Sequence, residues 1–252
     1  MRVRMADDKQ EYDAIADAYR ESKQLSFREH IESHTLFEVL GDLQNRSVLD
    51  LACGEGFYTR KIKTAGATDV LGVDVSGEMI ALAETEENRT PLGCRYLHAD
   101  AGAVDFASAY DIVSAAYLLC YARNAEELLN FCRIAYRALR PGGRFVGFND
   151  NVNENPNRAP SFATYGFEKR CPDPPAEGDK IVYAIRQPDG SVFEITNYHL
   201  SPATYEAAFT EAGFQDFRWE GPWLHASQHG VDFWDDFMKQ PPLIGFNSRR
   251  PG

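Results

Sequence analysis

Asp50, Asp74 and Asp100 each close a short apolar run: Val48-Leu49-Asp50-Leu51, Leu71-Gly72-Val73-Asp74 and Leu97-His98-Ala99-Asp100. If those runs are parallel strands, all three carboxylates reach the carboxyl edge of one sheet, where ligands bind in such folds. A carboxylate accepts from hydroxyls, amines or an ammonium. One acid at a strand end ordinarily caps a loop; three in register with a glycine turn point to a ligand. The turn is Ala52-Cys53-Gly54-Glu55-Gly56, and its small residues let a ligand approach the backbone. A nicotinamide-dinucleotide site wants G-x-G-x-x-G, with the turn and helix start holding pyrophosphate. Here the third position is Thr59, and Asp50 beside the turn repels phosphate but suits an ammonium. Asp74, 24 residues after Asp50, stands where a carboxylate accepts from ribose hydroxyls. Met79, one helical turn beyond Ser76, can cover an adenine face, and Asp100 can accept from the adenine amino group. Val75, Ala101 and Ala116 complete the candidate binding edge.

The elements that must position these residues alternate. Strands are predicted at Ser47–Leu51, Val70–Val75, Cys94–Ala99, Asp111–Ala116 and Arg144–Phe148. Helices are predicted at Phe57–Ala65, Gly77–Glu87 and Ala125–Leu139. That order argues for an α/β, doubly wound, mostly parallel sheet covered on both faces. Upstream, Tyr12, Ile15, Ala16 and Tyr19 share one helix face, and Phe27, Ile31, Leu36, Phe37 and Leu40 lead to a stop at Gly41. Downstream, Asn149–Pro160 and Cys171–Asp179 read as loops. Lys180–Gln187 and Ser191–Leu200 read as a hairpin about Pro188-Asp189-Gly190. A helix follows Ser201-Pro202, Gly213 ends it, and Phe214–Trp219 reads as a last strand before an aromatic, then Pro- and Arg-rich tail.

The run from Tyr12 to Phe148 resembles the class I methyltransferases that use S-adenosylmethionine (SAM). The family's acidic-x-G-x-G-x-G signature corresponds to Asp50-Leu51-Ala52-Cys53-Gly54-Glu55-Gly56, with Ala52 in place of the first glycine. Asp111-Ile112-Val113-Ser114-Ala115-Ala116-Tyr117 resembles its fourth-strand motif, and Ala138-Leu139-Arg140-Pro141-Gly142-Gly143-Arg144 its turn before strand five. The resemblance implies a Rossmann-like, seven-stranded sheet with an N-terminal helical lid (1–43), a SAM-binding core (44–150) and a small substrate-side insert with the last strands (151–252). It implies that Asp50 serves the methionine end of SAM, Asp74 the ribose and Asp100 the adenine. Tyr12-Asp13-x-Ile15-Ala16-x-x-Tyr19 and Asn197-Tyr198-His199-Leu200-Ser201-Pro202 are similar to small-molecule methyltransferases of secondary metabolism, in the toxoflavin-synthase-like group.

Tyr12 and Tyr19 either anchor the first helix or face the cofactor as part of a lid. Arg28 is either a partner for the SAM carboxylate or a solvated surface arginine. Tyr117, directly after strand four, is expected near the transferred methyl, either as a substrate wall or in packing; Tyr121 is expected in packing. His225, His199 and His229 are the candidate general bases, with His225 favoured. No metal is expected, because histidines and cysteines lack zinc spacing. Aromatic density in the last third, at Phe162, Tyr165, Phe167, Trp219, Trp223, Phe233 and Trp234, suggests stacking on a flat ligand. The expected reaction is in-line methyl transfer to a nitrogen or oxygen of a small aromatic or heterocyclic metabolite. The alternatives are carbon methylation, an NAD-binding oxidoreductase, or a non-catalytic SAM-binding protein.

With 252 residues the chain suffices for one large α/β domain. Its 38 acidic against 26 basic residues give a net charge of −12, which repels nucleic acid and anionic membranes and favours a small-molecule partner. Five cysteines in no paired spacing read as free thiols in a reducing compartment. With no apolar leader at Met1–Gln10 and no spanning run, the expected location is the cytoplasm. Monomer and homodimer both stay open.

Overall fold

The computed structural model describes residues 15–252 apart from 107, 156, 158 and 188. Tyr12, Ile15's helical neighbour on the sequence, lies outside the described residues.

Seven strands form the main sheet: β1 (Ser47–Leu51), β2 (Asp69–Asp74), β3 (Arg95–His98), β4 (Tyr110–Ala116), β5 (Leu139–Asp150), β9 (Gln215–Glu220) and β10 (Leu243–Arg249). Their spatial order is β3-β2-β1-β4-β5-β10-β9. The first five are parallel, and β10 runs antiparallel to both its neighbours. The order reverses at β1, which pairs with β2 on one side and β4 on the other. That is the switch point at which open α/β sheets leave a crevice beyond the strand ends. Asp50, Asp74 and Ala116 fall at the carboxyl ends of β1, β2 and β4, with Asp100 two residues past β3.

Period-2 alternation lets each strand serve two cores. Along β5, Phe145 joins the cluster under helices α5 (Ala125–Ala138) and α6 (Pro202–Ala212), while Val146 and Phe148 join the cluster under α2 (His34–Leu40) and α3 (Phe57–Thr64). Side-chain caps start the helices: Ser76 accepts from Met79 N at 3.2 Å, opening α4 (Gly77–Arg89), and Asn124 accepts from Glu127 N at 3.0 Å. Helix α6 starts at Pro202 and stops at Gly213, whose φ of 101° suits glycine.

Two assignments needed correction. Phe214–Trp219 is not the last strand: Leu243–Arg249, read as part of the tail, inserts between β5 and β9. Its polar Asn247 and Ser248 hid it, yet both are buried, and Ser248 donates to Phe145 O. The Pro141-Gly142-Gly143 stretch lies inside a strand that starts at Leu139, where the pairing with β4 shifts register. The expected hairpin stands outside the main sheet. Strands β7 (Lys180–Arg186) and β8 (Val192–Tyr198) join β6 (Phe167–Arg170) in a separate antiparallel sheet that forms the insert after strand five.

At the N-terminal side, helical residues 15–22, labelled α1, are followed by a π-helical turn over Arg28–Ser33 and then α2. Such wide turns are rare and recur at functional sites. This one sends both Arg28 and Glu32 inward, where they are buried.

Candidate cofactor cleft and acceptor pocket

The β1–α3 connection builds the cleft. Ala52, Gly54 and Gly56 have φ of 56°, 55° and 81°, so the chain turns through the left-handed region three times. Ala52 holds that conformation despite its Cβ. At Gly54 an added Cβ would lie 3.8 Å from Tyr19 Cε1 and 4.0 Å from Met79 Sδ, filling the cradle between them. At Gly56 it would meet the Tyr96 hydroxyl at 2.5 Å, so this glycine serves packing and lines no cleft. Asp74 locks the turn: its Oδ2 accepts from Gly54 N at 2.8 Å and its Oδ1 from Ser76 N at 2.9 Å. Burial raises the Asp74 pKa, against the pull of those two backbone bonds.

Two adjoining clefts open over this edge. One, of about 560 Å³ with its open mouth, is lined by Tyr19, Ala52, Gly54, Asp74, Val75, Met79 and Ala116, together with Tyr117 and Tyr121. The other is lined by Ala52, Asp74, Val75, Asp100 and Ala101. Asp74, Val75 and Ala52 face both. Asp100 caps its own turn by accepting from Gly102 N at 2.8 Å, which leaves its second oxygen for a ligand. Nine of the thirteen cofactor-site residues named from the sequence thus share one continuous crevice.

The remaining four fall elsewhere. Tyr12 lies outside the described residues. Gly56 acts through packing. Asp50 is 1% exposed and lines neither cleft; its Oδ2 accepts from Thr59 Oγ1 at 2.6 Å. Burial pushes its pKa up to about 7, and the Thr59 bond only partly offsets that. Thr59, where a dinucleotide fingerprint would place glycine, is thereby spent on Asp50. Arg28 is not a solvated surface arginine, and it lines neither cleft but the aromatic pocket behind them. It is buried, and its Nη1 donates to both Glu32 oxygens at 3.0 Å. Burial works against the guanidinium charge, but Glu32 overrides it and holds the pKa above the usual value.

Behind the first cleft lies a pocket of about 480 Å³, lined by Tyr19, Phe27, Glu32, Tyr117, Tyr183 and Asn197 among others. Tyr19, Tyr117 and Tyr121 face both spaces, so the two are neighbours across one aromatic partition. Tyr117 holds a φ of 62°, an unusual conformation for an aromatic residue. Its amide donates to Phe148 O at 3.1 Å, its ring meets Phe148 edge-on, and its hydroxyl donates to Glu32 Oε1 at 2.6 Å. Tyr58 donates to Glu32 Oε2 at 2.9 Å. Burial, reinforced by Glu32, keeps the Tyr117 phenol protonated well above its ordinary range.

The histidines stand apart. His225 is exposed, caps a short turn through Ser227 and packs edge-on against His34; His199 follows β8, and burial lowers its pKa. Neither lines the crevice or the pocket, so the base assignment does not survive the tertiary structure. The C-terminal aromatics are mostly core: Phe162 stacks on Phe167 at 5.0 Å, Tyr165 on Trp234, and Trp219 packs against Tyr205. Of the seven named, only Phe167 reaches the pocket. Glu32, Tyr183, Asn197 and Asp150 were missed. An Arg and a Glu four apart within an apolar run was the one available signal for the buried pair.

Residues 48–143 match the methyltransferase domain family. This stretch reads as a methyltransferase domain. The chain is 31% identical over 127 residues to the demethylmenaquinone methyltransferase of Lactococcus lactis, covering 48% of this chain and 49% of that one. It is 28% identical over 129 residues to the ubiquinone biosynthesis O-methyltransferase of Pseudomonas fluorescens, covering 50% and 53%. The chain thus spans about half the length of the curated relatives it matches. A solved SAM-dependent methyltransferase from Mesorhizobium loti superposes with a TM-score of 0.59 at 23% identity, over 85% of this chain and 95% of that one. At that identity the likeness speaks for the fold alone. Among the described residues no helix is long and apolar enough to cross a membrane.

Proposed function

We propose that the protein transfers the methyl group of SAM to a nitrogen or oxygen of a small, flat, aromatic or heterocyclic molecule. The observation that carries this reading is the shared partition: Tyr117 faces the crevice over the strand ends on one side and an aromatic pocket on the other. When bound, SAM supplies a methyl activated by its sulfonium. The chain's own part is to hold and align. Asp74 is suited to the ribose hydroxyls, Asp100 to the adenine amino group and Met79 to a ring face, while Ala52 and Gly54 admit the ligand to the backbone. Tyr19, Tyr117 and Tyr121 set the acceptor against the methyl and keep water out. Alignment of this kind is worth effective molarities of roughly 10⁵ M or more. A neutral nitrogen needs no protein base, which agrees with two histidines that line neither space.

Carbon methylation on a similar molecule and non-catalytic SAM binding use the same crevice. An NAD-dependent oxidoreductase is disfavoured, because Thr59 is buried against Asp50 where a dinucleotide turn needs glycine. The net charge of −12 favours a small-molecule partner over nucleic acid, and a cytoplasmic setting fits five free cysteines. The division into lid (1–43), SAM-binding core (44–150) and substrate-side remainder (151–252) belongs to the same proposal. The test is calorimetric titration with S-adenosylhomocysteine beside NADH. Micromolar binding of the first and none of the second is expected; the reverse would replace methyl transfer with hydride transfer.

A further inference from the structure

Two residues on the wall of the aromatic pocket, Arg28 and Asn197, are 4% and 3% exposed, and each keeps one buried polar atom without a partner. Arg28 supplies a donor. Its Nη1 is taken by Glu32 and its Nη2 reaches the Ser22 hydroxyl at 3.5 Å, while its Nε is unpaired. The guanidinium lies 5.1 and 5.8 Å from the centroids of the Phe27 and Tyr19 rings, which line the same pocket. Asn197 supplies an acceptor. Its Nδ2 donates to Asp150 at 3.0 Å, so its Oδ1 is turned away from that carboxylate and is unpaired. The strands set its direction. Ile195 and Asn197 stand two apart on β8, Tyr183 and Ile185 two apart on β7, and Tyr183 pairs with Ile195, so all four share the sheet face that lines the pocket.

A buried polar atom left unpaired costs free energy until something pairs with it. One donor and one acceptor on the same wall therefore suit a ligand that carries one of each. The charges around the pocket favour neither sign of ligand. Arg28 and Glu32 pair with each other, and the Asp150 carboxylate is held by the Tyr183 hydroxyl and by Asn197. Lys23 and Lys169, both half-buried, stand over the Tyr19 and Tyr183 rings at 4.6 and 5.2 Å. With cations and carboxylates both set around the rings, an ionic ligand finds no clear countercharge to offset its lost hydration.

Building on the methyl-transfer reading, we propose that the molecule methylated is an uncharged, flat heterocycle that presents a carbonyl oxygen or bare ring nitrogen to Arg28 Nε and an N–H or O–H to Asn197 Oδ1. A fused-ring lactam or vinylogous amide carries that pair of groups. Arg28 comes from the π-helical turn and Asn197 from the insert sheet, so the two contacts fix the ring from separate elements while the aromatic side chains hold its faces. Arg28 and Asn197 are thereby specificity residues. A site built to hydrogen-bond a group rejects analogues that lack it, because its own polar atoms are then left unpaired.

The test first titrates the intact protein with S-adenosylhomocysteine, then measures by calorimetry how the saturated protein binds flat bicyclic probes at pH 8. 2-Quinolone and 4-quinolone carry both groups, at narrow and wide separation. 2-Methylquinoline keeps only an acceptor and 2-methylindole only a donor. At least one quinolone is expected to bind at least tenfold more tightly than either single-group analogue, a ratio equivalent to about 1.4 kcal/mol. Asn197→Leu is expected to cut the advantage over 2-methylquinoline to below about threefold; a folded variant that keeps more overturns the Asn197 contact. The ratios in the intact protein decide the matter even if that variant does not fold. A smaller advantage over either analogue, or no binding of either quinolone, overturns the inference and leaves the cofactor reading standing. So does tighter binding of a charged probe, naphthalene-2-carboxylate or N-methylquinolinium. Failure of S-adenosylhomocysteine itself to bind removes the methyl-transfer reading, and this inference with it.

Discussion

Asp74→Asn separates a residue that holds a ligand from one that merely holds a turn. Asp74 spends one lone pair on Gly54 N and one on Ser76 N, at 2.8 and 2.9 Å, and it lines both parts of the crevice. Its two oxygens therefore keep acceptor sites toward the ligand, enough for two ribose hydroxyls. Hydrogen bonds to a charged group are worth about 1.5–3 kcal/mol each. Replacing the carboxylate with an amide keeps one oxygen and turns an NH2 toward a backbone N–H or a ribose hydroxyl. At the low end, two weakened ribose contacts cost about 3 kcal/mol, or roughly two orders of magnitude in affinity. The lost backbone contact costs about 1–3 kcal/mol of stability as well. Calorimetry with S-adenosylhomocysteine and a thermal melt, run on the same sample, read the two effects separately. A variant that melts lower but binds within threefold of the parent would refute the ribose assignment and leave Asp74 as a turn clamp.

Three further outcomes are expected. Ala52→Gly should relieve a left-handed alanine, worth about 1–2 kcal/mol, against glycine's entropic cost of roughly 0.5–1 kcal/mol. The melting temperature should rise by about 2–4 °C, and a fall would show that the Cβ packs usefully. Glu32→Gln leaves the Arg28 guanidinium buried without its countercharge, at a cost of about 3–5 kcal/mol; a melt lowered by roughly 10 °C is expected, and an unchanged melt would contradict the pairing. Asp50 has its folded pKa raised to about 7 from an ordinary 3.8, so the folded state holds the proton more tightly than the unfolded one. Its contribution is therefore fully present below pH 4 and lost as pH rises toward 7. Denaturant titrations at pH 5 and pH 8 should show Asp50→Asn gaining stability relative to the parent at the higher pH, and an opposite trend would mean that Asp50 is held ionised.

The cofactor side of the site was legible in the sequence because its parts are local. Each strand, turn and helix start is contiguous, and a parallel sheet delivers every strand end to one edge. Spacing along the chain therefore placed Ala52, Gly54, Asp74, Val75, Met79, Asp100, Ala101 and Ala116 together before any coordinates. Of the aromatic pocket behind it, only Tyr117 was legible. The rest draws on the π-helical turn at Arg28–Ser33, on Tyr121, and on Tyr183 and Asn197 of the insert sheet, both held by Asp150 at the end of β5. Those residues meet only through long-range packing, and their burial decides their chemistry. Arg28 reads in sequence as a ligand partner or a surface cation and becomes half of a buried ion pair in the fold. Asp50 reads as a ligand-binding acid and becomes a buried partner of Thr59. Strand β10 makes the same point in the backbone: its polar residues concealed it until β5 and β9 enclosed it. Periodicity and turn chemistry are properties of neighbours along the chain, so the sequence brought together the residues that line the crevice. Desolvation and charge balance are properties of neighbours in space, and only the tertiary structure could set the surroundings of the pocket behind the crevice.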